Sequence, residues 1–163
     1  MSIQLFGVSD CYQNKDDLTS RFVLPQPVSN GLIINEILYD PVPGGVDFLE
    51  LYNHTGRYMS LNGLRIGNGD EEVMLPVGTI IGPFAYILLT PDTLKHLLEF
   101  PQTPLNTLLE FALPSMPNEG GMLFLRRDTL IDVMNYEDGM HSSLLASTCL
   151  LYTSPSPRDV EET

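Results

Sequence analysis

Four carboxylates lie around one loop rich in proline and glycine, and they form the densest candidate chemistry in the chain. Glu36 and Asp40 precede Pro41–Gly45, and Asp47 and Glu50 follow it. If the flanking segments pair as neighbouring strands, the loop brings Asp40 and Asp47 close together. Carboxylate oxygens suit Ca²⁺, so the calcium candidates are Asp40, Asp47 and Glu50. Their spacing matches no calcium-binding loop. We therefore expect no cofactor, and we expect these acids to face solvent or to accept hydrogen bonds from backbone amides. Calcium binding is the alternative.

The other residue types with catalytic potential are scattered. His54, His96 and His141 share no metal-ligand spacing with each other or with a cysteine, and we expect surface histidines. The sequence contains no nucleophile elbow, phosphate-binding loop or zinc-protease motif. Paired carboxylates also serve glycoside hydrolysis, but a small sandwich without tryptophan offers little material for a substrate cleft. We predict that the protein is not an enzyme and has no catalytic residues.

Two adjacent polar residues interrupt the most apolar segment, Leu32–Tyr39. They are Asn35 and Glu36. Because neighbouring side chains of a regular strand point to opposite faces, one of the two is expected to point inward and to need hydrogen-bond partners. The turn backbone near Asn53–Gly56 is the predicted partner. We interpret five residues as a structural signature that holds the first strands and turns together: Asn35, Glu36, Glu50, Asn53 and Gly63.

The elements that would position these residues are short strands. The clearest are Leu32–Tyr39, Val46–Tyr52, Phe84–Leu89 and a hairpin of Met122–Arg126 with Leu130–Asn135. Roughly seven to nine strands at about 8–12-residue spacing are typical of an all-β sandwich. One short helix is predicted near residues 91–99, with Thr90 as its N-cap. Its apolar face would consist of Leu94, Leu97 and Leu98.

Length and composition favour a folded protein with an acidic surface. The chain has 163 residues, 43% hydrophobic and 18% charged, which is too apolar for a disordered chain and suits about one domain. A net charge of -13 argues against nucleic acid as a partner. No apolar run reaches the roughly 18–20 residues that a membrane-spanning helix needs.

The sequence divides into four segments. Residues 1–24 predict two extended pieces, either a ribbon on the main domain or the end of a preceding module. Within them, GVSDCYQN resembles the last-strand region of bacterial immunoglobulin-like domains. Residues 25–31 (PQPVSNG) predict a linker, since prolines favour an extended backbone. Residues 32–148 predict the main sandwich domain, and residues 149–163 are treated separately below.

Several motifs of the main domain resemble the lamin tail domain in its bacterial form. They are INE at residues 34–36, DFLELYN at 47–53, SLNGLRI at 60–66, LPVGTI at 75–80 and GPFAYILLT at 82–90. The weaker matches are GMLFL at 121–125 and LIDVMNY at 130–136. The resemblance implies an immunoglobulin-like β-sandwich without catalytic residues. Ser60 stands where the family usually has aspartate, and the family's closing strand, G-x-S-L-E-R, is absent.

The C-terminal residues resemble translated laboratory DNA. Residues 149–159 read CLLYTSPSPRD, which is the translation of a transposase adapter used to prepare sequencing libraries. We therefore expect residues 149–163 to be non-native, the genuine reading frame to break near Thr148, and the final strand to be missing.

These observations together predict a non-catalytic binding or spacer module of a secreted or cell-envelope bacterial protein, with its signal peptide outside this fragment. Its partner would be a protein or a glycan at the cell surface. Two alternatives remain open: a calcium-stabilised adhesion module, or an accessory domain of an extracellular hydrolase whose catalytic part is absent.

Overall fold

The computed structural model describes residues 25–28 and 31–138, together with the backbone of three further strands at Ser2–Ser9, Lys15–Arg21 and Tyr152–Thr153. These residues form an all-β sandwich with one short α-helix, as the sequence predicts. The helix α1 spans Thr93–Glu99, and a 3₁₀ turn spans Leu105–Thr107. The strands are β1 (Ser2–Ser9), β2 (Lys15–Arg21), β3 (Gln26–Pro27), β4 (Leu32–Leu38), β5 (Phe48–Asn53), β6 (Met59–Ser60), β7 (Arg65–Gly67), β8 (Glu72–Met74), β9 (Ile80–Ile81), β10 (Tyr86–Thr90), β11 (Leu108–Glu110), β12 (Gly120–Arg126), β13 (Leu130–Glu137) and β14 (Tyr152–Thr153).

The strands build two main sheets and two small ones. The larger main sheet has the order β11-β10-β5-β4-β14, and the other has the order β13-β12-β7-β8. A small sheet, β3-β6-β9, adds to the sandwich, and β1 pairs with β2 in a separate hairpin. The strands β4 and β5 are antiparallel neighbours, and so are β12 and β13, which confirms both predicted pairings. Among the described residues, no helix is long and apolar enough to cross a bilayer.

The core fills the space between the two main sheets. Its fully buried side chains come from both sides and share an aliphatic character, which removes apolar surface from water at about 25 cal/mol per Å². They include Leu32, Leu49, Leu51 and Leu89 from the first sheet and Ile66, Leu123 and Leu125 from the second. A second, smaller cluster lies on the opposite face of the larger sheet and contains Leu38, Phe48 and Leu88.

A β-bulge interrupts β4 at Asn35. Ile34 pairs with Leu51 and Glu36 pairs with Glu50, so one extra residue lies in β4 between these two pairs. Ile34 and Ile37 both reach the main core, and the two residues between them therefore face away from it. The expectation that Asn35 or Glu36 points into the core is wrong, because the bulge breaks the alternation on which it depended.

Helix α1 differs from its predicted form. The strand β10 continues through Thr90, and the helix is capped instead by Asp92, whose Oδ1 accepts from the Lys95 backbone N–H at 2.9 Å. His96 is the residue buried against the sheet, whereas Leu94 and Leu98 are 75% and 85% exposed. Two of the three leucines of the predicted apolar face therefore lie in solvent, and the prediction of a surface histidine at this position is wrong. The reason is the aromatic neighbour: the His96 ring meets Phe48 edge-on at 5.3 Å.

Both ends of the chain contribute strands. Within the predicted linker, Gln26 and Pro27 pair with β6, and Val28 is buried, so residues 25–28 pack against the sandwich. Tyr152–Thr153, inside the segment that resembles adapter sequence, pairs antiparallel with Ile37 and Glu36 of β4. The predicted strand residues 22–24 and His141 lie outside the described residues.

Candidate functional site

Two carboxylates face each other across β4 and β5. Glu36 is the direct register partner of Glu50. The Asn35 side-chain amide, brought to the same face by the bulge, donates to Glu50 Oε1 at 2.7 Å. Glu36 is only 5% exposed, and its Oε1 is buried without a hydrogen-bond partner among the described residues. A buried carboxylate in this state is costly unless it is protonated or meets a donor.

Electrostatics favour the protonated form of Glu36. Burial, and after it the charge of Glu50, raise its pKa from 4.5 to about 8. Burial also raises the pKa of Glu50, while the hydrogen bond from Asn35 opposes that rise. Because the two acids interact, they titrate as a coupled pair in which Glu36 keeps its proton at neutral pH.

Two tyrosines stand beside the acid pair on the same face of the sheet. Tyr52 pairs in register with Tyr86, and their rings stack at a centroid distance of 4.4 Å and an interplanar angle of 22°. Burial raises the pKa of Tyr86, and the nearby Tyr52 and Glu50 contribute to the rise. We call the surface formed by Asn35, Glu36, Glu50, Tyr52 and Tyr86 the acid–tyrosine patch.

The three calcium candidates do not form one cluster. Asp40 is near enough for its charge to act on Asp47: burial first, and the charge of Asp40 second, raise the pKa of Asp47 to about 6. Asp40 also accepts a hydrogen bond from the Asn118 side chain at 2.5 Å. Glu50 lies three residues further along β5, about 10 Å away, where its partners are Asn35 and Glu36. Within the described part of the chain, no group of three metal-ligating side chains comes together.

Asn53 joins two turns at one end of the sandwich. Its side chain is fully buried, and its Nδ2 donates to the carbonyls of Arg57 at 2.7 Å and Gly82 at 2.6 Å. Its Oδ1 accepts from the Thr55 backbone N–H at 3.0 Å and from the Thr55 hydroxyl at 2.8 Å. All its hydrogen-bonding groups are thus used within the fold, which gives Asn53 a structural role. The turn backbone that was predicted to bind Asn35 or Glu36 is instead hydrogen-bonded to the Asn53 side chain.

Gly63 occupies the turn between β6 and β7. Its φ of +77° lies in the left-handed region, which glycine enters without steric cost. The Arg127 side chain lies over it, 3.6 Å from the position a Cβ would take. Gly63 is therefore required for the turn, and it is not part of the acid–tyrosine patch.

The end of the sandwich that Asn53 joins also carries an exposed aromatic ring. Phe84 has a φ of +52°, and its side chain is 62% exposed. Its ring lies over Gly56, at 3.6 Å from the position of a Cβ there. Next to it is a groove of about 580 Å³, the turn groove, which is lined by Gln26, Pro27, Thr55, Gly56, Arg57 and Met59.

Sequence reasoning missed the turn groove because it placed Phe84 inside a strand. The groove also needs Gln26 and Pro27, which were read as linker. The available signal was the Gly82-Pro83 pair directly before Phe84, which marks a turn and not a strand.

His96 serves packing. Its Nε2 lies 3.0 Å from the Thr103 hydroxyl, and its ring stacks on Phe100 at 4.8 Å. Burial lowers its pKa, so the imidazole is neutral at pH 7. His54 follows the last residue of β5, whereas His96 contacts the first, Phe48, so the two histidines lie at opposite ends of that strand.

Neither a protein-family model nor a curated protein sequence matches the chain. The resemblance to lamin tail domains therefore rests on its sequence motifs alone. The turn groove and the acid–tyrosine patch are the two candidate binding surfaces of the described residues.

Proposed function

We propose that this chain is a non-catalytic binding module of a secreted or cell-envelope bacterial protein, and that it holds its ligand at the turn groove. The observation that carries the proposal is Phe84, a bulky residue kept at positive φ with its ring in solvent. A non-glycine residue in this region costs about 1–3 kcal/mol and persists where the surrounding structure enforces it. Such strain is concentrated at binding and switch sites.

The surrounding contacts enforce the Phe84 conformation. The Phe84 N–H donates to the Thr55 carbonyl at 3.1 Å, and Asn53 binds the Gly82 carbonyl two residues earlier. Two turns are thereby joined to each other, and the backbone of Phe84 directs its ring towards solvent. The result is an aromatic side chain that is held in place before any ligand arrives, which lowers the entropic cost of binding.

The lining of the turn groove suits a ligand with both apolar and polar faces. Pro27 and Met59 provide apolar surface, while the Arg57 guanidinium provides donors. A concave site with apolar walls and a few polar groups is the usual composition of a ligand site. A glycan or an extended peptide at the cell surface meets this description. The sequence resemblance to bacterial lamin tail domains supports the non-catalytic role.

The test uses Phe84→Gly in the full chain, with cell-wall polysaccharide and cell-surface proteins from bacteria as separate ligands. Glycine relieves the strain, so we expect stability to be kept or raised by about 1 kcal/mol while affinity falls at least tenfold. Val77→Ser, which removes an even more exposed apolar side chain from another turn, is the control and should bind normally.

Biolayer interferometry measures the affinity, and chemical denaturation measures the stability. Equal binding by the wild type and Phe84→Gly would refute the role of the turn groove. Turnover of a bound ligand would refute a non-catalytic function.

A further inference from the structure

We propose that the acid–tyrosine patch is a second binding site, which takes an arginine or lysine side chain from a basic segment of a partner polypeptide. It lies on the outer face of β4, β5 and β10, and it shares no residue with the lining of the turn groove. The inference does not depend on the function proposed there. The patch combines an unsatisfied buried carboxyl group with a second acid and two tyrosine rings, on a chain of negative net charge.

The floor of the patch is Glu36. Its Oε1 is buried and has no partner among the described residues, although a carboxyl group in such a place needs a donor. The ion pairs among the described residues lie elsewhere: Arg65 and Arg126 contact Glu72, and Arg127 contacts Asp128. Glu36 and Glu50 take part in none of these ion pairs. A hydrogen-bond donor on a bound partner would satisfy Glu36 Oε1.

The rim of the patch adds a second carboxylate and aromatic rings. Glu50 is half-buried and is fixed by Asn35, so its orientation is set before a ligand binds. Tyr86 is 43% exposed and stacks on Tyr52 directly beside the acids. A bound cation favours the ionised form of a nearby carboxyl group, so its arrival would displace the proton of Glu36. The two facing carboxylates then suit a guanidinium group, which has five N–H donors in a planar fork and also binds aromatic faces.

The same composition disfavours a metal ion. Calcium takes six to eight oxygen ligands, whereas the patch has two carboxylates, and the side-chain amide nitrogen of Asn35 already points at one of them. Tyrosine rings contribute to the binding of organic cations and not to that of calcium. The net charge of -13 attracts basic polypeptides and raises their association rate. The occupant with matching chemistry is therefore a basic polypeptide segment.

The test measures fluorescence anisotropy of a labelled peptide in which threonine and arginine alternate, with the full-length protein at about 0.1 M salt. We expect saturable binding that weakens at least tenfold in Glu36→Gln and in Glu50→Gln. Glu119→Gln removes the same charge from an exposed position elsewhere and is expected to change the affinity less than twofold. A peptide with glutamine in place of arginine should not bind.

Three results would overturn the proposal. The first is absence of saturable binding to the wild type. The second is an equal loss in Glu119→Gln, which would show general charge attraction. The third is calcium binding that Glu50→Gln abolishes while the peptide does not bind. Thermal melts of each variant show whether lost binding reflects unfolding. The outcome is separate from that of the turn-groove assay, because the two assays use different probes and different variants.

Discussion

Glu36 is a buried carboxyl group whose burial lowers the free energy of unfolding. Its neighbours are Glu50, with the same charge, and Asn35, whose amide is already used by Glu50. The folded protein compensates by keeping Glu36 protonated, which is the meaning of its pKa of about 8.

Replacing Glu36 with glutamine tests this electrostatic assignment. Because the pKa rises from 4.5 to about 8 on folding, the stabilising contribution of the proton is complete below pH 4.5 and is lost as the pH rises through 8. Glutamine keeps the shape without the charge. We expect Glu36→Gln to gain about 1–3 kcal/mol in free energy of unfolding above pH 8 and to change little near pH 5.

Guanidinium denaturation at the two pH values measures the difference. Glu119→Gln is the control for removal of one negative charge. An identical gain for Glu36→Gln at both pH values would contradict the raised pKa.

Asn53 is a residue whose replacement we expect to lower the free energy of unfolding strongly. Asn53→Ala leaves the carbonyls of Arg57 and Gly82 without their donor and loses both bonds from Thr55. Unpaired buried groups cost about 1–3 kcal/mol each, and we expect a total loss of about 3 kcal/mol. Asn62→Ala, at an exposed asparagine that accepts from the Gly78 N–H, should cost less than about 1 kcal/mol. Similar losses in urea denaturation would argue against the role of Asn53 in joining the turns.

At the scale of elements, helix α1 shows that tertiary packing overrides a local pattern. We expect His96→Ala to cost about 2–3 kcal/mol, since it opens a cavity against Phe48 and Phe100. Leu98→Ser, at a position 85% exposed, should stay within about 0.5 kcal/mol.

The lowered pKa of His96 also sets a pH dependence. The stability that a neutral His96 contributes is present above pH 6.5 and is lost as the pH falls below that value, because the unfolded chain takes up the proton first. His96→Ala should remove this part of the pH profile. Denaturation curves of both variants between pH 5 and 8 provide the measurement, and a larger loss from Leu98→Ser than from His96→Ala would reverse the assignment of the helix faces.

The sequence predicted the strands best where two signals agreed. The segments β4 and β5 combine apolar runs with a Pro/Gly-rich loop between them, and the predicted pairing was correct. The hairpin β12–β13 has alternating residues around a short polar turn. The strand β3 was missed, because a two-residue strand that contains proline leaves no periodic pattern to detect.

The candidate surfaces were less predictable than the strands. The proximity of Asp40 and Asp47 follows from loop closure and was anticipated. That Asn35 and Glu36 share a face depends on a bulge, and a bulge is a matter of register between two strands, which one strand's sequence does not determine. Likewise, the φ of Phe84 is set by hydrogen bonds to a distant turn.

At the scale of the whole molecule, charge repulsion is the dominant electrostatic feature. The chain carries 21 acidic and 8 basic residues. Because salt screens repulsion among surface charges, we expect the midpoint of thermal unfolding to rise by about 3–5 °C between roughly 0.01 M and 0.5 M sodium chloride. Differential scanning calorimetry measures the change, with sodium chloride and potassium chloride compared at equal ionic strength. A midpoint that falls with added salt would show that attractive pairs outweigh the repulsion.

The bulge in β4 also makes the strand tolerant to the loss of one residue. Without Asn35, the sequence Leu-Ile-Ile-Glu-Ile-Leu-Tyr alternates regularly, so every apolar side chain keeps its present face. Deletion of residue 35 or 36 therefore keeps the apolar side chains of β4 on their present faces. Deletion of Ile33 reverses the faces of the residues on one side of it, which turns core side chains towards solvent. In an evolving gene, this is a position where residues can be gained or lost one at a time, and with them the chemistry of the outer face.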